Sequence, residues 1–254
     1  MKYILFFVLG TILGSFYNVV GYRIPKKESI IYPPSHCPKC NHKLKFYELI
    51  PIISYIIQKG KCKNCKEKIG LFYPIFELIT GLLFAISLKI FGLTPNLLLI
   101  LTFISMLIII TISDIKYMII PDSILLFFSI LILIEIYIFK GFNEVLSSIT
   151  NGIISFIIMY LIKKFGDFLF KKESMGDGDI KLMFVIGLFT SYKNALLTIF
   201  IGSLIGLPIS LISIKKNTNH ILPFGPLLSS AATIIVLTKI NLDTILNIMQ
   251  LRLF

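Results

Sequence analysis

The chain has 254 residues, and its composition excludes a water-soluble globule. Hydrophobic residues make up 56% of it and charged residues 15%, against about 25% charged in soluble domains. The net charge is +12, but no basic stretch is interleaved with stacking aromatic residues, so we expect no nucleic-acid partner. With a mean hydropathy of +0.89, disorder and a coiled coil are excluded too. The composition predicts an all-α polytopic membrane protein.

Eight apolar segments are candidates for transmembrane helices. Residues 1–20 form the first, and no cleavage site of the signal-peptide type follows it. The segment at 180–192 is short, because crossing about 30 Å needs about 20 residues at 1.5 Å each. Eight spans is therefore the prediction and seven the alternative, with the spans placed near 3–20, 74–92, 97–113, 123–139, 145–162, 180–192, 194–214 and 221–238.

A polar insert, residues 21–72, separates the first two apolar segments. It holds 11 of the 25 lysines and arginines and three glutamates. Since basic residues concentrate in cytoplasmic loops, the insert is predicted to be cytoplasmic and the N-terminus outside. Eight spans then place 19 of the 25 basic residues inside. Residues 73–239 are the predicted helical core, and residues 240–254 are a predicted outside tail.

All four cysteines lie in this insert, in two C-x2-C pairs separated by 21 residues. Two such pairs supply four thiolates to one tetrahedral ion at about 2.3 Å, so Cys37, Cys40, Cys62 and Cys65 are predicted to bind a structural zinc ion. The reducing cytosol disfavours disulfides. The neighbouring His36 and His42 are predicted to be bystanders, and His220 is given no role. No internal repeat is apparent.

Carboxyl groups at membrane depth are costly and therefore candidates for function. Asp114 closes a long apolar span, where a negative charge opposes the helix dipole, so a purely structural role is hard to find for it. Asp122 follows Pro121 and is expected to cap a helix. The other candidates are Glu77, Glu135, Asp177 and Asp179.

A second acidic segment, Met175-Gly176-Asp177-Gly178-Asp179, precedes the span at 180–192. Its two glycines, Gly176 and Gly178, permit a tight backbone turn close to a substrate, although a calcium-type loop or a helix cap would also fit. The predicted topology puts Asp114 and Asp179 at the same cytoplasmic face. Two adjacent carboxyls, one charged and one neutral, can hydrolyse a peptide bond by acid–base catalysis without a metal.

Several motifs in this order resemble those of the bacterial prepilin peptidases, membrane aspartic proteases of the Gly-x-Gly-Asp class. The resemblance covers nearly the whole chain. It rests on Gly14–Val20 with Tyr22–Pro25, the two cysteine pairs, Pro51–Tyr55, Tyr73-Pro74 with Glu77-Leu78, Asp114–Asp122, Gly176–Asp179 and Pro223–Pro226. A second acid often found two residues after the first aspartate is replaced by Lys116.

The resemblance implies that Asp114 and Asp179 are the catalytic pair, with Gly176 and Gly178 in the active-site loop. It implies a bacterial inner-membrane enzyme that cleaves type IV prepilins and pseudopilins after a glycine, on the cytoplasmic side. Many members also methylate the new N-terminus with S-adenosylmethionine, and the cysteine-bearing insert is found in those bifunctional members. No Gly-rich nucleotide loop follows a strand here, so the residues that bind S-adenosylmethionine are not identified.

Two other classes of function remain open at this point. An ion transporter or channel would use Glu77, Glu135 and the aspartates as a path. Glu135 lies well inside a span, and its simpler interpretation is a carboxyl that bonds a serine or threonine on another helix. A membrane-anchored zinc-knuckle adaptor without activity would leave Asp114 and Asp179 unexplained. The oligomeric state is not predicted.

Overall fold

The computed structural model describes residues 1–215 and 222–242, with the backbone alone at 213–215. Within these residues every regular element is helical, apart from two isolated β-bridges. His220 and most of the predicted tail lie outside the described residues. The α-helices are α1 (Lys2–Arg23), α2 (Ile53–Ile57), α3 (Phe72–Phe91), α4 (Pro95–Tyr117), α5 (Asp122–Lys140), α6 (Phe142–Phe170), α7 (Asp177–Phe189), α8 (Tyr192–Lys215) and α9 (Gly225–Thr238).

Six of these helices are long and apolar enough to cross a membrane, judged by length and composition in the described part of the chain: α1, α3, α4, α5, α6 and α8. The predicted multi-pass membrane protein is therefore confirmed, whereas the count of eight spans is not. Two further helices, α7 and the apolar α9, have 13 and 14 residues. At 1.5 Å per residue each extends about 20 Å, which is less than a hydrocarbon core of about 30 Å.

The chain divides into two compact units, Met1–Leu97 and Leu98–Phe254. In the first unit α3 packs along α1. Gly10 and Gly81 meet at this crossing, where a Cβ on Gly10 would lie 2.8 Å from the Gly81 Cα atom. Small residues at a crossing allow the backbones of two membrane helices to come into direct contact. The two glycines therefore explain why α1 and α3 pack so closely. The polar insert connects the two helices.

The second unit is built around buried faces of α4 and α7. Phe103 of α4 stacks on Phe189 of α7, with ring centroids 4.0 Å apart. α7 also packs against α5, α6, α8 and α9, and its Leu182, Met183 and Ile186 are fully buried. A helix that is too short to span the bilayer alone is thus surrounded by other helices of the same unit.

Candidate active site and metal centre

Asp114 lies in the last turn of α4 and is buried, with 6% of its surface exposed. Its Oδ2 atom accepts a hydrogen bond from the N–H of Gly225, at 3.0 Å. Gly225 is the first residue of α9, so the positive end of that helix dipole faces the carboxyl. The unfavourable position at the end of α4 is therefore offset by the start of α9.

Asp179 is the third residue of α7 and is also buried, with 8% of its surface exposed. Gly176 is the N-cap, and its carbonyl accepts the Asp179 N–H at 3.2 Å. A carboxyl in the first turn of a helix is favoured by the unpaired N–H groups there. Both aspartates thus lie where a helix N-terminus stabilises negative charge.

The helix starts next to the two aspartates pack against one common residue. Ile120, in the segment after α4, contacts the start of α7 and the start of α9: a Cβ on Gly178 would lie 2.9 Å from the Ile120 Cβ, and a Cβ on Gly225 would lie 3.2 Å from its Cδ1. Asp179 belongs to the first of these helix starts, and Asp114 accepts a hydrogen bond from the second. That the two carboxyls act as one catalytic pair stays a prediction.

Ion pairs hold the start of α7 to its neighbours. Lys163 of α6, with 9% of its side chain exposed, contacts Asp177 at 2.5 Å. Lys181 donates to both carboxylate oxygens of Asp122 at 2.8 Å. Asp122 is not the cap expected from the sequence, because Pro121 occupies the N-cap position and Asp122 is the first helical residue.

Two residues of this site carry roles that the sequence did not reveal. The segment around Gly225 was part of the family resemblance, but nothing in the sequence indicated that its N–H would bind Asp114. Lys163 was counted only as a basic loop residue. Lys163 directly follows an apolar run, and a lysine that becomes buried there needs an acidic partner. This position was the signal in the sequence that could have suggested the ion pair.

The four cysteine sulfurs form one cluster in the insert, and all lie within 4.8 Å of one another. The Sγ atoms of Cys37 and Cys65 are 3.7 Å apart, and those of Cys40 and Cys62 are 3.9 Å apart. Metal–sulfur bonds of about 2.3 Å in a tetrahedron require sulfur–sulfur edges of about 3.8 Å, so the cluster has the size that a metal ion such as zinc needs. All four thiols are free of disulfides.

The two halves of this cluster are copies of the same turn, a repeat that the sequence analysis missed. In the first copy the Cys37 N–H donates to the His42 carbonyl at 3.0 Å, and in the second the Cys62 N–H donates to the Glu67 carbonyl at 2.8 Å. Asn41 and Lys66 follow the second cysteine in each copy, with positive φ angles of 55° and 60°. The repeating segments are 36–44 and 61–69.

Backbone N–H groups in these turns favour the thiolate form, which metal binding requires, at Cys40 and Cys62, whereas burial and the neighbouring sulfurs raise the pKa of Cys65 to about 12. The N–H of His42 lowers the pKa of Cys40 to about 6, with a smaller contribution from the Asn64 side chain. The N–H groups of Cys65 and Asn64 lower the pKa of Cys62. The His42 side chain is outside the sulfur cluster and bonds Glu48 at 3.2 Å, which agrees with its predicted role as a bystander.

The carboxyls that an ion path would use have local hydrogen-bond partners. Glu135 accepts from the Thr102 hydroxyl at 2.8 Å, which confirms the bond to a threonine of another helix. Glu77 accepts from the backbone N–H of Ile52 at 2.7 Å. The second oxygen of Glu135, Oε2, is buried and has no hydrogen-bond partner among the described residues. In the part of the chain that the structure describes, the arrangement of these carboxyls does not support a transporter or channel.

Comparison with known proteins identifies the family. Residues 8–91 match the bacterial peptidase A24 N-terminal domain, and residues 101–211 match the type IV leader peptidase family. No solved structure matches the chain.

Curated relatives over most of the chain are named prepilin leader peptidase/N-methyltransferase. The protein of Bacillus subtilis is 36% identical over 229 residues, covering 89% of this chain and 90% of its own length. That of Neisseria gonorrhoeae is 32% identical, covering 90% and 87%, and that of Vibrio cholerae is 40% identical, covering 72% and 76%. With a relative 36% identical over about nine-tenths of both proteins, the chain is a member of the type IV leader peptidase family.

Proposed function

We propose that this protein is a membrane endopeptidase that removes the leader peptides of type IV prepilins and pseudopilins, cutting after a glycine at the cytoplasmic face. The observation that supports the proposal is that Asp114 and Asp179 are both buried at helix N-termini, those of α9 and α7, and that both helix starts pack against Ile120. The names of its relatives support the same substrate class.

The two aspartates divide the acid and base roles between them. Two adjacent carboxyls in a poorly solvated site cannot both be charged at low cost, so one retains a proton. The ionised carboxyl accepts a proton from the attacking water, and the neutral carboxyl donates one to the carbonyl oxygen of the scissile bond. The Gly225 N–H holds the Asp114 carboxyl in place, while Gly178 lets α7 approach Ile120.

The membrane topology that suits this reaction has eight crossings, with the N-terminus outside and the insert in the cytoplasm. It requires α7 and α9 to act as short crossings inside the helix bundle. The distribution of basic residues, 19 inside and 6 outside, supports it. Both aspartates are then at the cytoplasmic ends of their helices, where a leader peptide is accessible.

The insert binds a structural zinc ion through Cys37, Cys40, Cys62 and Cys65. Four thiolates leave no open coordination position, so the ion orders the insert and takes no part in hydrolysis. The protein also methylates the new N-terminal amine with S-adenosylmethionine. The N-methyltransferase activity in the names of its relatives supports this second step.

Co-expression with a candidate prepilin, followed by mass analysis of the prepilin N-terminus, tests the proposal. Asp114→Asn and Asp179→Asn are each expected to reduce cleavage about 10²–10⁴-fold, because each removes one proton-transfer group. Asp167→Asn is the matched control, since Asp167 bonds Ser174 outside the carboxyl pair. Robust cleavage by either active-site variant would contradict the assignment of the pair.

A further inference from the structure

The first unit contains a cavity of about 400 Å³ that none of the steps of hydrolysis uses. It lies between α1, α3 and the insert, and its volume falls within the range of about 300–1,000 Å³ typical of small-molecule sites. Its wall combines three kinds of side chain: tyrosines, carboxyls with an amide, and basic residues. Those that matter here are Asn18, Tyr22, Arg23, Glu48, Tyr73 and Glu77.

Two of these residues have buried acceptor oxygens without a donor among the described groups. Asn18 is 2% exposed, and its Nδ2 atom donates to the Tyr73 carbonyl at 3.3 Å, which identifies Oδ1 as the unpaired acceptor. Glu48 is 6% exposed, and its Oε1 atom is unpaired while Oε2 bonds the Lys45 N–H. Buried acceptors are rarely left without donors, so they indicate a ligand that supplies donors or positive charge.

Glu77 adds a third buried oxygen-bearing group, held in place by an unusual turn. Ile52 has φ 61° and ψ −51°, and the N–H of Ile53 donates to the Pro51 carbonyl across it. This is a γ-turn with positive φ, which a β-branched residue adopts only under strain. The turn directs the Ile52 N–H to the Glu77 carboxyl, and such strained geometry clusters at functional sites.

Aromatic and basic side chains complete the wall. The rings of Tyr22 and Tyr73 are stacked, with centroids 5.2 Å apart. Faces of tyrosine rings attract cations and stack on planar heterocycles. Arg23 and Lys26 also line the cavity and suit a carboxylate. The wall thus has partners for a molecule that joins a cation, a carboxylate and an aromatic base.

We propose that this cavity binds S-adenosylmethionine, with Asn18, Glu48 and Glu77 selecting its positive charge and the tyrosines and Arg23 holding its remaining groups. The proposal rests on the methylation proposed above. When bound, the ligand supplies a methyl group: the amine nitrogen bonds the methyl carbon as the carbon–sulfur bond breaks, a neutral thioether leaves, and the amine proton passes to a carboxylate. The chain's own contribution is to bind and orient the donor and to accept that proton.

Equilibrium binding of S-adenosylmethionine to the full-length protein in detergent micelles tests this site without relying on methylation. We expect binding by the wild type, and at least about tenfold weaker binding by Glu77→Gln and by Asn18→Ala, because each loses a contact to the cation. Glu135→Gln is the matched control, since Glu135 is a buried membrane carboxyl that does not line the cavity. Wild-type affinity in both cavity variants would overturn the proposal.

Two measurements on the wild type keep the test decisive if a variant does not fold. Ultraviolet cross-linking of bound S-adenosylmethionine should label peptides within residues 15–77, and labelling confined to residues 98–242 would refute the site. S-adenosylhomocysteine, which lacks the sulfonium charge, and ATP, an anionic adenine ligand, should both bind at least about tenfold more weakly.

Cleavage of a prepilin by the same preparation separates this proposal from the proposed peptidase function. A protein that cleaves but does not bind S-adenosylmethionine would contradict the donor site and leave the aspartate pair intact. A protein that binds it in the cavity but does not cleave would support the donor site and contradict the peptidase assignment.

Discussion

The two units of the molecule assemble their reactive groups in opposite ways. In the first unit, two short turns with identical backbone hydrogen bonds present four thiols from within 29 residues, 37–65. In the second, the two carboxyls come from α4 and α7, and the N-terminus of a third helix, α9, binds one of them. The comparison teaches that the short spacing of cysteines along the chain is enough to form a cluster of candidate metal ligands. The arrangement of the two carboxyls depends instead on how whole helices pack.

The two sites also differ in the interactions that keep their reactive groups in place. The insert has few buried apolar residues of its own, so we expect its order to depend on a metal ion held by the four cysteines, as in other small metal-binding modules. The carboxyl pair depends on tight contacts among Ile120, Gly178 and Gly225, which leave no room for an added methyl group.

Removal of the metal should affect the first unit most strongly. A structural zinc ion contributes about 10–16 kcal/mol of apparent binding free energy at neutral pH. Strong chelation, or Cys65→Ser, should therefore expose residues 26–70 to protease while the membrane helices stay protected. Metal content and limited proteolysis measure this, with Lys66→Ser as the control. An insert that stays protease-resistant without metal would contradict the comparison.

A single methyl group should disable the second unit. A Cβ added at Gly225 would lie 2.6 Å from the Asp114 Oδ2 atom, so Gly225→Ala must displace the Asp114 carboxyl, which we propose is catalytic. Displacement by about 1 Å costs about 10²-fold in rate, although alanine otherwise favours a helix. Prepilin cleavage measures the loss.

Gly202→Ala is the matched control for that substitution. The same methyl group at Gly202 of α8 would make ordinary contacts, the shortest being 3.4 Å to the Leu227 carbonyl. Cleavage by Gly202→Ala should therefore equal that of the wild type. Equal activity of the two alanine variants would show that the Asp114 carboxyl tolerates displacement.

Glu48 should make the stability of the insert depend on pH. The Lys45 N–H, and then His42, lower the pKa of Glu48 below its usual value of 4.5. Because the folded-state pKa is lowered, the stabilisation is present above pH 4.5 and is lost as the pH falls through the folded-state value. Glu48→Gln should therefore reduce the free energy of unfolding by about 1 kcal/mol at pH 7.

The difference between wild type and Glu48→Gln should disappear in acid, where both side chains are neutral. Comparing the two proteins at each pH cancels the loss of metal that acid causes in both. Chemical unfolding, followed by protease sensitivity of the insert, measures the difference. A difference that persists at pH 3 would mean that the charge of Glu48 is not its source.

The smallest effect is expected at the exposed ion pair between Lys181 and Asp122. The side chains are 47% and 69% exposed, so solvent screens their attraction. Lys181→Gln should lower stability by about 0–1 kcal/mol, and a double-mutant cycle with Asp122→Asn should give a coupling energy in the same range. Thermal unfolding measures both. A coupling energy well above that range would assign the pair a structural role at the start of α7.

Local patterns made much of this protein predictable. The apolar runs predicted the membrane class, and the four-cysteine spacing predicted the sulfur cluster, because both depend on neighbours in the chain. The partner of Glu135 was also anticipated as a threonine or serine on another helix. The span count is not confirmed at α7 and α9, because an apolar run does not reveal whether a short helix crosses the bilayer or is enclosed by others.

The sequence by itself determined which side chains are costly to bury and which can share a metal ion, since charge, hydropathy and two-residue spacing are properties of the chain. Only the tertiary structure decided that the Gly225 N–H meets Asp114 and that Lys163 pairs with Asp177. It also decided that Asn18 and Glu48, each with a buried unpaired oxygen, both line one cavity. Such contacts join residues far apart along the chain, and their geometry is fixed by packing distances of a few ångströms that no local pattern encodes.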